Sequence, residues 1–144
     1  AHAVVPFYGQ GMNAGFEDIF VLDEIIQELG DDWEKIFETY QQRRKPNADA
    51  IAELSYRNFV EMSSKTADAN FLLQKKIEKH FSYNHPDKWI PAYSRVTFSE
   101  RPYTEALAAG DAQESIMKEI MKTPNIEKKW DSAEVEKLML DLIG

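Results

Sequence analysis

The stretch "PFYGQGMNAGFED", from Pro6 to Asp18, decides how this fold begins. Two glycines flank one glutamine, and an amphipathic helix follows with no strand in front of it. The start of a helix carries unpaired backbone N–H groups and the positive end of the helix dipole, so this segment attracts negative charge. Glycines at such a place let a ligand approach the backbone closely. A capped turn with no ligand explains the same spacing, and the residues alone leave both interpretations open.

Outward from this segment the apolar residues recur at helical spacing almost throughout. A broad apolar stripe predicts a helix over 10–29 that is buried on most sides. Further helices are predicted over 33–45, 46–65, 69–81, 102–122 and 131–143, with Pro46 as the first residue of the third and Asp131 capping the last. Residues 93–99 alternate apolar and polar side chains, which indicates one short strand or extended segment. The predicted fold class is mainly α.

Composition excludes several classes of function. The chain has 144 residues, of which 43% are hydrophobic, so it is long enough to bury one core. A net charge of −8 argues against a nucleic-acid partner or an anionic membrane surface. The absence of cysteine excludes disulfides and thiol catalysis. The three histidines lie far apart without the spacing of metal ligands, so no metal site is predicted.

The longer string "AHAVVPFYGQGMNAGFED" closely resembles the second flavin-binding motif of the single-component FAD-dependent aromatic hydroxylases. The resemblance implies that this chain is the C-terminal portion of a larger α/β flavoprotein. Residues 1–45 would then end the FAD-binding domain, and residues 46–144 would form a helical domain that covers the substrate pocket. FAD would be held jointly with the N-terminal part, and the positions implied to contact it are Pro6, Gly9, Gln10, Gly11, Met12 and Asn13.

Two more strings, "LSYRNFVEM" at 54–62 and "WIPAYSRVTFS" at 89–99, make the chain similar to the kynurenine 3-monooxygenase family of these hydroxylases. That resemblance implies that NADPH reduces the FAD and that molecular oxygen, through a flavin hydroperoxide, converts L-kynurenine to 3-hydroxykynurenine in tryptophan degradation. Asn58 and Tyr93 would hold the amino-acid end of the substrate. Phe7 and Met62 would be apolar walls, and Glu61 would be a supporting acceptor. No residue of this chain is predicted to be catalytic.

The residues themselves support these roles unequally. Asn58 lies on a largely apolar helical stripe with Leu54 and Met62, and a buried amide requires a hydrogen-bond partner. That partner is either a ligand or a neighbouring group of the protein. For Tyr93, ordinary ring packing explains the residue as well as a ligand does. Core packing likewise accounts for Phe7 and Met62, and solvation accounts for Glu61.

Two other functions fit parts of the sequence. A related hydroxylase acting on another aromatic acid would keep the glycine segment without needing both Asn58 and Tyr93. A non-catalytic helical interaction module would use the glycine segment only as a capped turn, packed closed. If the chain belongs to a hydroxylase of either substrate class, we expect a cytoplasmic, soluble protein of bacterial type without a membrane anchor. Such a protein could also form a homodimer. We also expect this portion alone to be inactive.

Overall fold

A computed structural model describes residues 3–99 and 101–144, and these form an all-helical fold. The described residues contain no strand, so the predicted mainly α class is confirmed. A 3-10 turn (Pro6–Tyr8) precedes the first helix, and a π-helical turn (Glu61–Lys65) follows the second. The α-helices are α1 (Gly11–Leu29), α2 (Trp33–Val60), α3 (Ala69–Asn84), α4 (Ala92–Phe98), α5 (Tyr103–Ile120), α6 (Ile126–Lys129) and α7 (Ala133–Ile143).

The predicted strand at 93–99 is wrong, because these residues form helix α4. Pro91 occupies the position before the helix, and its carbonyl accepts a hydrogen bond from the Arg95 N–H at 3.1 Å. A strand needs a neighbouring strand to pair its backbone groups, and the described part of the chain offers none. A helix satisfies those groups locally and also buries Val96 to 4% exposure.

The predicted helix break at Pro46 is also wrong. Helix α2 is a single helix of 28 residues with Pro46 in its interior. A proline there removes one backbone hydrogen bond and strains the preceding turn. Packing outweighs that cost, since Ile36 lies in the half before Pro46 and Ile51 in the half after it, and both are fully buried. The division into domains at 45/46 stays a prediction, and its boundary falls within one helix.

Two apolar clusters form the interior. The first joins α1, α2, α4 and α5 through Ala14, Ala50, Ile51, Leu54, Val96, Tyr103 and Ala106. The second joins α3, α5, α6 and α7 through Ile77, Phe81, Trp89, Met117, Ile120, Ile126, Val135 and Met139. Helix α5 contributes to both clusters, so it holds the two halves of the described structure together.

Helix α1 is less buried than its apolar stripe predicts. Ala14 and Ile25 face α2 and are fully buried, but the opposite side of the helix is open. Phe16, Ile19 and Phe20 on that side are between 64% and 66% exposed. A contiguous apolar face of this kind is typical of a surface that another piece of protein covers.

The last helix ends at Ile143 as predicted, but its N-cap is Ser132 instead of Asp131. The Ser132 hydroxyl accepts a hydrogen bond from the Val135 N–H at 3.4 Å, which is the usual arrangement of a capping serine. Within the residues that the structure describes, no helix has both the length and the apolar character to cross a bilayer.

Candidate functional site

The glycine segment forms a sharp turn into α1. After the 3-10 turn, Gly9 adopts a left-handed conformation with φ of +68°, and its N–H donates to the Pro6 carbonyl at 3.2 Å. Residues with a Cβ are strained at such a φ, so glycine suits this position. Gln10 then stands at the N-cap, and the helix begins at Gly11.

The side chains of Gln10 and Asn13 bond to each other, which leaves the backbone as the exposed feature of this turn. Gln10 is buried to 5% exposure, and its Oε1 accepts from Asn13 Nδ2 at 2.8 Å. Gly9, Gly11 and Met12 are exposed, and a Cβ built on either glycine would meet nothing within 4 Å. An electron-rich group therefore has open access to the helix N-terminus, which fits the predicted flavin edge.

A cavity of about 450 Å³ lies between α2, α3, α4 and α5, next to the 3-10 turn. Its volume is within the range of small-molecule sites. Three of the predicted substrate residues, Asn58, Glu61 and Tyr93, line it together although they come from different elements. The lining also includes residues that the sequence did not predict, which are Tyr8 and Arg57 and, from α3, Lys75 and Glu78.

Asn58 has a partner inside the protein. Its Nδ2 donates to the backbone carbonyl of Phe7 at 2.9 Å, so this amide joins α2 to the 3-10 turn. One of the two N–H groups of the Asn58 amide is therefore bonded to a neighbouring group of the protein. A primary amide has a second N–H and a carbonyl oxygen, and the side chain is half-buried at the cavity wall. The ligand interpretation of Asn58 stays a prediction that concerns these remaining polar groups.

Tyr93 stands on α4 with 51% of its surface exposed, and its ring stacks on that of Tyr8. The two ring centroids are 5.5 Å apart and the planes differ by 21°. Burial, followed by the charge of Glu61 and the neighbouring Tyr93, raises the pKa of Tyr8 to about 12. The Tyr8 hydroxyl is therefore neutral at physiological pH.

Phe7 and Met62 do not line the cavity. The Phe7 ring packs against Phe59 with centroids 4.9 Å apart, whereas the Tyr8 ring stacks on Tyr93. Met62 lies in the π-helical turn and is 55% exposed. The structure therefore brings Phe7 to the site only through its carbonyl, and it leaves Met62 outside.

Ion pairs cross the rim of the cavity. Lys75 Nζ on α3 lies 3.1 Å from Glu78 and 3.7 Å from Glu61, which ties α3 to the π-helical turn. On the other side, Arg57 of α2 pairs with Glu53 on its own helix at 2.7 Å and with Asp111 of α5. Hydrogen bonds to these two carboxylates raise the pKa of Arg57 further above its usual range. Glu61 is consequently paired and not simply solvated.

A buried arginine fixes α1, and thus the glycine segment, on α2. Arg44 is 5% exposed and donates to Asp18 at 2.8 Å, to Glu17 at 3.0 Å and to the carbonyl of Ala14 at 3.3 Å. Glu17 and Asp18 end the string that resembles the flavin motif, so that part of the match has a structural role here. The sequence pattern predicts a helix end at residue 45, but Arg44 lies buried in the interior of the continuous helix α2.

Comparison with known proteins confirms the predicted resemblance. The chain is 71% identical over 142 residues to a kynurenine 3-monooxygenase of Flavobacterium johnsoniae and 68% identical over 143 residues to that of Christiangramia forsetii, in each case over 99% of the chain. A kynurenine 3-monooxygenase of Dictyostelium discoideum is 40% identical over 89% of it. The chain spans about a third of the length of these relatives, 32% of the first two and 31% of the third. No family model matches it.

Proposed function

We propose that this chain, which is related to the kynurenine 3-monooxygenases along nearly its whole length, forms the substrate-covering part of a flavoprotein that hydroxylates L-kynurenine to 3-hydroxykynurenine. The cavity beside the 3-10 turn would receive the substrate, with Asn58 and Tyr93 at its amino-acid end. The exposed start of α1 would face the flavin, through Pro6, Gly9, Gln10, Gly11, Met12 and Asn13.

One observation carries this proposal: Asn58 belongs to the cavity wall and is hydrogen-bonded to the turn that leads into the predicted flavin segment. A substrate held by the cavity would therefore lie next to a flavin held by the helix N-terminus. Flavin hydroxylation requires the two groups to be adjacent, since positioning supplies a large part of the rate.

Each part of the site has a defined role in this proposal. Bound FAD, reduced by NADPH, would supply the activation of molecular oxygen. The N–H groups at the start of α1 would stabilise negative charge on the flavin edge nearest to them. The remaining amide groups of Asn58 and the hydroxyl of Tyr93 would orient the polar end of the substrate. The charged pairs at Lys75 and Arg57 would keep the surrounding helices closed over it.

The open geometry of the glycine segment favours this function over a non-catalytic interaction module. Such a module predicts a start of the chain that is packed closed at Gly9 to Asn13. Gly9 and residues 11–13 are exposed instead, and only Gln10 is buried. A hydroxylase for another aromatic acid remains the second candidate, because neither the helix start nor the cavity volume selects the ring substituents.

The exposed face of α1 is consistent with the predicted domain arrangement. The relatives are about three times as long as this chain, and an N-terminal FAD-binding part would cover Phe16, Ile19 and Phe20. Covering the face would also bring the rest of the flavin site to Gly9 and Gly11. This assignment deepens the predicted role of residues 1–45 as the end of the FAD-binding domain.

The test uses the full-length flavoprotein and measures NADPH oxidation with and without L-kynurenine. We expect strong stimulation by the substrate. Asn58→Ala and Tyr93→Phe should raise the KM for L-kynurenine by roughly 10-fold each, the effect of losing one good hydrogen bond to a charged group. The matched control is Tyr83→Phe on α3, which is 86% exposed and should behave like the parent protein. A flavin-loaded protein that ignores L-kynurenine would contradict the assigned substrate.

A further inference from the structure

The 3-10 turn Pro6–Tyr8 is fixed to α2 more firmly than a surface turn usually is. Its carbonyl at Phe7 accepts from Asn58 at 2.9 Å, and the Phe7 ring lies 4.9 Å from that of Phe59. Gly9 closes the turn with its N–H on the Pro6 carbonyl. The backbone that carries Tyr8 is therefore held in position by the long helix α2.

Helix α4 is short and buries little of its own surface. It has seven residues, and of these only Val96 is fully buried. Tyr93 is half exposed, and within the described residues its ring contacts are with Tyr8 and with Phe98, which is itself 78% exposed. The Tyr8 ring is therefore the one better-buried aromatic surface against which Tyr93 can be oriented.

From this contrast we propose that Tyr8 is a positioning residue for substrate binding, acting through its stacked contact with Tyr93. The inference rests on the proposed function, because it assumes that Tyr93 contacts the amino-acid end of the substrate. Because the 3-10 turn is fixed, the ring of Tyr8 also fixes the orientation of the Tyr93 side chain on the short helix α4. It thereby sets the distance between the substrate end of the cavity and the segment that leads to the helix start.

The ring, not the hydroxyl, performs this role. Offset stacking acts between ring faces, and its coupling is equivalent to a roughly 2- to 10-fold change in an equilibrium constant. We therefore expect Tyr8→Leu to raise the KM for L-kynurenine by that factor in the full-length flavoprotein. Tyr8→Phe retains the ring and should restore most of the affinity that Tyr8→Leu loses.

A double-mutant cycle separates positioning from general destabilisation. If Tyr8 acts through Tyr93, then Tyr8→Leu has no further effect on KM once Tyr93→Leu is present. An equal rise in both backgrounds would overturn the proposal, as would an unchanged KM for Tyr8→Leu alone. Where leucine lowers the flavin content, Tyr8→Met fills similar space without a ring and repeats the cycle.

Measurements on the parent protein and on one surface variant distinguish failure of the proposed function from failure of the Tyr8 role. Tyr83→Leu removes an exposed tyrosine from α3 and should leave KM unchanged. If the parent flavoprotein does not respond to L-kynurenine at all, the proposed function fails and this inference fails with it. If the parent responds and the Tyr8 variants match it, only the positioning role is refuted.

Discussion

At the scale of single residues, buried polar groups set the geometry around the site. Arg44 is the clearest case, since three hydrogen bonds from one guanidinium hold α1 on α2. Its neighbour Arg43 offers a matched comparison, because it pairs with Glu28 at 2.6 Å on the exposed side of the same helix. The two arginines differ chiefly in burial, so substituting each in turn compares the contribution of a buried ion pair with that of a surface one.

Arg44→Met should lower the free energy of unfolding by about 3 kcal/mol or more, since loss of one partner from a buried ionic network leaves polar groups without compensation. Arg43→Met should cost about 1 kcal/mol at most, because exposed pairs contribute little. Urea unfolding of both variants provides the measurement. Equal losses would show that the Arg44 network does not hold the two helices together.

Tyr103, on the first turn of α5, predicts a specific dependence on pH. It is 6% exposed, and burial, the negative charge of Glu17 and the hydrogen bond that the Tyr103 hydroxyl donates to Glu17 raise its pKa from 10.0 to about 12. A pKa that is higher in the folded than in the unfolded state means that the folded state binds the proton more tightly. The stabilisation is then complete below pH 10 and is lost as the pH rises from 10 to about 12.

We therefore expect the stability of the parent protein to fall more steeply between pH 10 and 12 than that of Tyr103→Phe. Urea midpoints across this range measure the difference. Tyr83→Phe serves as the exposed control, and its curve should parallel that of the parent. Parallel curves for Tyr103→Phe as well would mean that the buried phenol does not couple to folding.

At the scale of elements, the sequence predicted helices better than their ends. Helices α1, α3, α5 and α7 follow from apolar periodicity and from local stop signals such as Gly30, and all four lie where the pattern placed them. The errors occurred where tertiary contacts override a local signal. Pro46 signals a helix start, but burial on both sides of it keeps α2 continuous. The alternation at 93–99 signals a strand, but no partner strand exists for it within the described residues.

Pro46 supplies a test of that continuity. If it lies in a helix interior, Pro46→Ala restores the missing backbone hydrogen bond and should stabilise the protein by about 1 kcal/mol or more. Pro46→Gly should be about 1 kcal/mol less stable than Pro46→Ala, which is the usual difference within a helix. Thermal unfolding of the three proteins gives both values. A Pro46→Ala variant less stable than the parent would place a helix start, not an interior, at this position.

At the scale of the whole molecule, the candidate site was only partly readable from the sequence. Asn58, Glu61 and Tyr93 do share one cavity, as the family resemblance implies. Tyr8 and Lys75 could not be assigned to it, because no local pattern reveals which elements distant in sequence will face each other. The hydrogen bond from Asn58 to the Phe7 carbonyl was equally unpredictable, since every residue has a backbone carbonyl and the sequence does not show which one accepts.

The molecule also has an asymmetric surface, with a charged exterior around the cavity and an apolar face on α1. The proposed function expects both features, since the cavity would hold the substrate and the apolar face would pack on a larger flavin-binding part. We therefore propose to test the function on the longer protein.

The most direct test is the mass of the product that the full-length flavoprotein forms from L-kynurenine in the presence of NADPH and oxygen. We expect a product heavier by one oxygen atom that co-elutes with 3-hydroxykynurenine and is absent without NADPH. Recovery of unmodified L-kynurenine from a flavin-loaded protein that consumes NADPH with a different aromatic acid would contradict it.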